Sequence, residues 1–141
     1  MKHSILILAL FIFVIPACKK EKKEEAKPST TTEKQRMLMG KNWKISKLVS
    51  EGQDMTSVIP ACVMDNVIFH FSDTKSGYAD EGPQKCDVGD SQLTNFDWSL
   101  IAGETKLVID DHTSKDTMLL LQLSNTEMQL GMEEDTMTLK W

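Results

Sequence analysis

From Asn42 to Trp141 the apolar residues fall at every second position, in short runs separated by polar turns, and this period constrains the chain more than any other feature. A strand sends successive side chains to opposite faces, so the alternation builds one apolar and one polar face per run. Trp43 and Ile45 share a face within residues 42–49, and Val67, Phe69 and Phe71 share one in the next run. A turn at residues 73–77 leads to a short strand around Tyr78. Phe96, Trp98 and Leu100 then alternate up to a turn at Ala102, Gly103 and Glu104. Leu107 and Ile109 precede a polar turn at 110–114, and Leu119, Leu121 and Leu123 run to Ser124 and Asn125. Met128, Leu130 and Met132 lead to Glu133, Glu134 and Asp135, and Met137, Leu139 and Trp141 finish the chain. The pattern predicts about eight antiparallel strands joined by hairpin-length turns. Such strands must close their sheet or cover it, which leaves an up-and-down barrel or a two-sheet sandwich. The expected fold is all-β, an eight-stranded barrel, with the two-sheet sandwich as the alternative. An immunoglobulin-like sandwich fits less well, because no Trp lies between Cys62 and Cys86.

Ahead of the first strand, Thr30 and Glu33 have capping-box spacing, Met37, Leu38 and Met39 supply an apolar turn, and Gly40 is a stop signal. These residues predict a short helix over 33–39.

The amino terminus has a different character. Lys2 and His3 precede residues 5–15, which are wholly apolar, and the run ends at Ile15, Pro16, Ala17 and Cys18. This core is shorter than the roughly 20 residues of a bilayer span and suits a secretory signal. A buried helix or an uncleaved anchor is the plainer reading, but Lys19, Lys20, Glu21, Lys22 and Lys23 follow at once with no further apolar flank. Ile15 and small Ala17 directly before Cys18 resemble the lipobox of bacterial lipoproteins. The resemblance implies cleavage after residue 17, a diacylglyceryl group on Cys18 and an acyl chain such as palmitate on the new amino terminus. Several acyl chains exceed the two-signal threshold for stable membrane attachment.

Residues 18–33 read as a tether. The stretch 19–36 lacks aromatic residues and carries a balance of +3, so it cannot bury enough apolar area to offset its ordering entropy. Lys rather than Asp after Cys18 favours the outer membrane over inner-membrane retention. The Lys–Glu-rich start resembles signals that carry some Gram-negative lipoproteins to the cell surface, while a plain spacer is the alternative, leaving the periplasmic face open. The domain boundaries expected are therefore 1–17 for the signal, 18–33 for the lipidated cysteine and tether, and 34–141 for the barrel.

The whole chain carries −5; Lys2 and the tether account for +1 and +3, which leaves −9 on residues 37–141. An acidic body of this kind repels phosphate backbones, so no nucleic-acid partner is expected. With Cys18 assigned to lipid, Cys62 and Cys86 remain as a pair in an exported, oxidising setting. A disulfide is favoured over a zinc site, which these two cysteines would serve poorly without CxxC spacing or a histidine pair.

Across residues 37–141 the layout resembles the small lipocalin-like lipoproteins of Gram-negative bacteria. The residues that carry the likeness are Gly40, Lys41, Asn42 and Trp43 at the start, and Cys62 with Asp65 and Asn66 running into Val67–Phe71 territory at residues 67–71. Cys86, a strand containing Trp98, and the closing hairpins with Leu123, Ser124 and Leu130 complete it. What the resemblance implies is an eight-stranded antiparallel barrel with an apolar interior.

No Gly-rich phosphate loop, Gly-x-Ser-x-Gly elbow or His-Glu-x-x-His occurs. His70 sits between Phe69 and Phe71 on the opposite face, and His112 lies in a polar turn beside Asp110 and Asp111, without calcium-loop spacing. Asp65 and Asn66 read as local hydrogen-bonding residues where the chain leaves a loop. The expectation is a non-enzymatic protein with no catalytic residues, cofactor or metal. Met118, Met128, Met132 and Met137 gather in the last hairpins, either as core filling or as an adaptable lining. The function expected is a lipid-anchored monomer, held to the outer membrane through Cys18, that binds a small apolar ligand against Phe69, Phe71, Phe96, Trp98, Met128 and Met137. The alternative is an envelope interaction module with a side-chain-filled barrel and an unknown protein partner.

Overall fold

A computed structural model describes residues 30–64 and 66–141. The signal, Cys18, the tether before residue 30, and Asp65 lie outside the described residues. In chain order the elements are α1 (Glu33–Leu38), β1 (Asn42–Ser50), β2 (Gln53–Asp54), a 3-10 turn (Thr56–Val58), β3 (Ile68–Phe71), β4 (Ser76–Asp80) and β5 (Leu93–Ile101). They continue with β6 (Lys106–Asp110), β7 (Lys115–Leu123), β8 (Glu127–Met132) and β9 (Asp135–Lys140). From β3 onward each strand pairs antiparallel with the next, and β1 pairs with both β3 and β9. The sheet thus closes into an eight-stranded barrel, with β2 as a short hairpin extension of β1. This is the barrel anticipated from the alternation, not the sandwich.

Closure depends on β1 serving two neighbours. Asn42, Trp43 and Lys44 face β3, whereas Lys44 to Ser50 face β9. Between Ile45, opposite Leu139, and Lys47, opposite Thr138, Ser46 is an extra residue. A bulge of this kind adds local twist, and here it lets one strand leave one partner and join the other. The Ser46 hydroxyl donates to the Thr138 carbonyl at 3.1 Å, so the unpaired position is still tied to β9.

A second bulge corrects one element of the sequence reading. Leu119 and Leu121 do not share the interior face with Leu123. Met118 and Leu120 point inward and are buried, while Leu119 and Leu121 are exposed. Leu120 pairs with Leu130 and Gln122 with Gln129, leaving Leu121 as the extra residue, so Leu123 returns to the inner side opposite Met128. Four apolar residues in succession, 118–121, leave the phase of an alternating pattern undefined. At the chain end Leu139 is fully buried, but Trp141 is exposed and does not extend that face.

The short helix forms as expected, with its cap two residues later. Thr32, not Thr30, is the N-cap: its hydroxyl accepts from Gln35 N at 3.2 Å, and Gln35 Oε1 accepts from Thr32 N at 2.9 Å. Three threonines in a row make the cap ambiguous in sequence, and Gln at the third helical position completes the box as well as Glu does.

This helix seals one end of the barrel. Leu38 and Trp43 are fully buried against each other's surroundings in the core. The Trp43 indole N–H donates to the Leu38 carbonyl at 2.9 Å, satisfying an acceptor that the helix end would otherwise leave unpaired in the interior. Gly40, at φ +69°, turns the chain sharply into β1, and its N–H donates to the Phe71 carbonyl at 3.0 Å. Lys34 Nζ donates to the Glu104 carbonyl at 2.7 Å, tying the helix to the β5–β6 turn. Above this seal Phe71 meets Phe96 and Trp98 edge-on, at centroid distances of 5.6 and 5.1 Å. Gly77 is required beneath Phe96: a Cβ there would overlap the Phe96 ring and the His70 carbonyl.

Truncating the seal tests its weight. Leu38→Ala is expected to cost about 2–5 kcal/mol, the range for emptying a fully buried leucine site, measured as a fall in the urea unfolding midpoint at unchanged slope.

Candidate ligand-binding cavity

Between the aromatic layer above α1 and the opposite end of the barrel lies a cavity of about 530 Å³. Its position follows from the strand phases. Phe69 and Phe71 enter from β3, Phe96 from β5, Leu107 and Ile109 from β6, and Met118 from β7. Met128, Leu130 and Met132 enter from β8, and Met137 and Leu139 from β9. A volume of this size is ordinary for a small-molecule site, and small barrels of eight strands either fill their interior or hold one ligand. Unbranched thioethers supply much of one wall, and they adapt to irregular apolar shapes.

Of the lining residues expected from sequence, Phe69, Phe71, Phe96, Met128 and Met137 surround this space, and Trp98 does not. Trp98 faces inward in phase with Phe96 but is buried lower, under the β3–β4 turn. Its indole N–H is shared between the Asp73 and Ser76 carbonyls at 2.9 and 3.2 Å, so the ring belongs to the packed floor beneath the cavity. Alternation fixes the side of the sheet, whereas depth along the barrel depends on shear and on where the helix sits, which a single strand does not record.

The mouth is the end away from α1. One flank carries the two longest loops, 55–67 and 81–92, joined by the Cys62–Cys86 disulfide with a Cα–Cα distance of 5.2 Å. Closing a loop of this length contributes about 3.5 kcal/mol in the chain-entropy account. Asn66 reinforces the same junction: its amide donates to the carbonyls of Cys62, Glu81 and Gln84, and its Oδ1 accepts from Gln84 N at 3.2 Å. Gly82, at φ +71°, lies so close to Asn66 that a Cβ would overlap its backbone oxygen. Asn66 therefore has the structural role read from sequence.

The other flank carries Asp111, Asp116 and Glu133, all of which line the cavity. The sequence reading put Asp111 and Glu133 in turns and gave none of the three a place in the cavity, although extending the alternation into the turns places Asp111 in phase with Ile109 and Asp116 in phase with Met118. Asp111 organises its turn: Oδ1 accepts from Thr113 N at 2.8 Å, Thr113 Oγ1 at 2.7 Å and Ser114 N at 2.6 Å. Led by the Ser114 backbone bond, these donors hold its carboxyl well below the ordinary 3.8, at about 2.

His70 and His112 stay outside the cavity. His70 stacks on Tyr78 at 4.9 Å on the outer face, and its Nδ1 lies 2.8 Å from Asn42 Oδ1. His112 occupies the turn at φ +69°. Among the described residues, no three His, Cys, Asp or Glu side chains are placed to hold a metal ion together.

The Asp111 shift carries a pH dependence. Its folded-state value lies below the unfolded one, so the folded chain binds fewer protons between them and acid favours unfolding. Asp54, Asp73 and Asp80, lowered mainly by hydrogen bonds from Thr56, Lys75 and Gly82 respectively, act in the same direction. The urea midpoint should hold steady above about pH 5 and fall from about pH 4 toward pH 2; Asp111→Asn should lower the plateau and flatten the fall.

No protein-family model matches the chain, and no curated protein matches it significantly. Among solved structures it is similar to a lipocalin-like protein from Bacteroides uniformis ATCC 8492, at 18% identity over 74% of this chain and 97% of that one, with a TM-score of 0.49. It is also similar to an uncharacterized protein from Bacteroides eggerthii DSM 20697, at 13% identity over 74% of this chain and 99% of that one, with a TM-score of 0.47. The chain's own strand order is that of a closed, antiparallel, up-and-down eight-stranded barrel, with one added short strand and a helix across one end.

Proposed function

We propose that this chain is a lipid-anchored, non-enzymatic binding protein of the outer membrane, which holds one small apolar ligand inside its barrel and acts as a monomer. The single observation that supports ligand binding over a filled barrel is the cavity of about 530 Å³ between the aromatic layer and the mouth. Its wall is rich in Phe, Leu and Met, so transfer of an apolar body from water is favoured by roughly 25 cal/mol per Å² of surface buried. The helix and Trp43 close the far end, so a ligand enters and leaves past the cross-linked loops. Attachment through Cys18 rests on the lipobox-like sequence at residues 15–18 and on the polar tether that follows.

A neutral apolar probe, N-phenyl-1-naphthylamine, tests the cavity. Saturable fluorescence enhancement at micromolar concentration, one probe per chain, is expected. Ala79→Phe, which projects a ring into the space, should weaken binding by about tenfold or more, a loss of roughly 1.4 kcal/mol, with the circular dichroism unchanged. No saturable binding would favour the interaction module instead. For the anchor, Cys18→Ser should abolish lipid labelling and release the protein from the membrane fraction; unchanged mass and location would contradict it.

A further inference from the structure

The cavity is apolar along its walls and anionic at its opening. Among the described residues, Asp111, Asp116 and Glu133 are the ionisable groups that line it, with no lysine, arginine or histidine beside them. They come from consecutive parts of the barrel wall, namely the end of β6, the start of β7 and the β8–β9 turn, so their charges add on one side of the opening. The cations closest in sequence are engaged elsewhere: Lys115 Nζ lies 3.7 Å from Asp110, and Lys140 Nζ lies 4.0 Å from Glu127. Asp111 Oδ1 is fixed by its three turn donors and cannot swing away from the rim without breaking them. A cleft of one charge sign with low-dielectric walls concentrates ions of the opposite sign.

From this juxtaposition we infer that the barrel selects amphiphiles with a cationic head: the apolar tail lies against Phe96, Leu130 and Met137, and an ammonium group sits at the carboxylate rim. The inference rests on the ligand-binding reading above and adds the head-group chemistry to it. A tail carrying a carboxylate would place like charges together at the rim, so a fatty acid is disfavoured. A neutral alcohol with the same tail falls between.

Three ligands with one tail separate these cases. The full chain, as the cell processes it, is titrated at pH 7 with dodecylammonium, dodecanol and dodecanoate, the ions below their micelle concentrations and the alcohol below its solubility limit, and followed by tryptophan fluorescence. Dodecylammonium should bind about tenfold more tightly than dodecanol, and dodecanoate more weakly than either, because partly exposed ion pairs each contribute modestly. Raising sodium chloride from about 0.05 to about 0.5 M should shrink the preference, since the shorter Debye length screens the rim. Asp116 and Glu133 are exposed, and Asp116→Asn with Glu133→Gln should remove most of the ammonium preference, read as the ratio of dodecylammonium to dodecanol affinity in the same variant. Asp116→Lys should shift the order toward dodecanoate. Dodecanoate binding as tightly as dodecylammonium, or a preference untouched in the double variant, overturns the head-group inference while dodecanol binding upholds the cavity. Failure of all three ligands overturns the ligand-binding reading itself.

Discussion

The pairing of β1 with β9 is the interaction on which the rest of the molecule depends. Without it the strands β3 to β9 would form an open sheet with a free edge at each end and an apolar face turned to water. With it, β1 and β9 pair with each other and the inward faces enclose a volume. The Ser46 bulge makes the seam possible, because it allows β1 to pair with β3 over its first residues and with β9 over the rest. The bulge at Leu121 serves the opposite wall in a similar way, restoring Leu123 to the interior after two outward leucines.

The seam also determines why the interior is not simply a core. Large side chains concentrate at the α1 end, where Leu38, Trp43, Phe71 and Trp98 are buried together. The indole of Trp43 and the carbonyl of Leu38 satisfy one another there, so that carbonyl at the helix end is not left unpaired in the interior. Toward the other end the inward positions turn to Ala79, Thr94 and methionine, which do not fill the width of the barrel. The disulfide and Asn66 hold the loops of that end in place, and restraint of the loops keeps the opening defined. A packed floor and a restrained mouth are the two conditions for a preformed pocket.

Much of the fold was legible in the sequence because a barrel strand with one buried face records its own phase. The turns at Ala102–Glu104 positions 102–104, at 110–114 and at 133–134 fall where polar residues interrupt that phase, and Cys62 pairs with Cys86 as the cysteine count suggested. Phase was lost where sequence carries no contrast, as in the apolar stretch 118–121, and where three threonines compete for one cap. The candidate site was less legible. Phe69 and Trp98 lie on inward faces alike, yet only Phe69 reaches the cavity, since height along the axis depends on strand stagger. The rim carboxylates resembled ordinary turn residues, because no single hairpin records that the 111–116 and 133–134 segments open on the same end of the barrel, beside its cavity.

The seam can be observed directly by NMR on the barrel within the full chain. The account predicts cross-strand nuclear Overhauser effects linking Leu48 with Met137 and Val49 with Thr136, with slow amide exchange along both strands. Rapid exchange along β1 and β9, with no effects across the seam while the β3–β4 and β8–β9 pairs show theirs, would contradict a closed barrel and every statement about its interior.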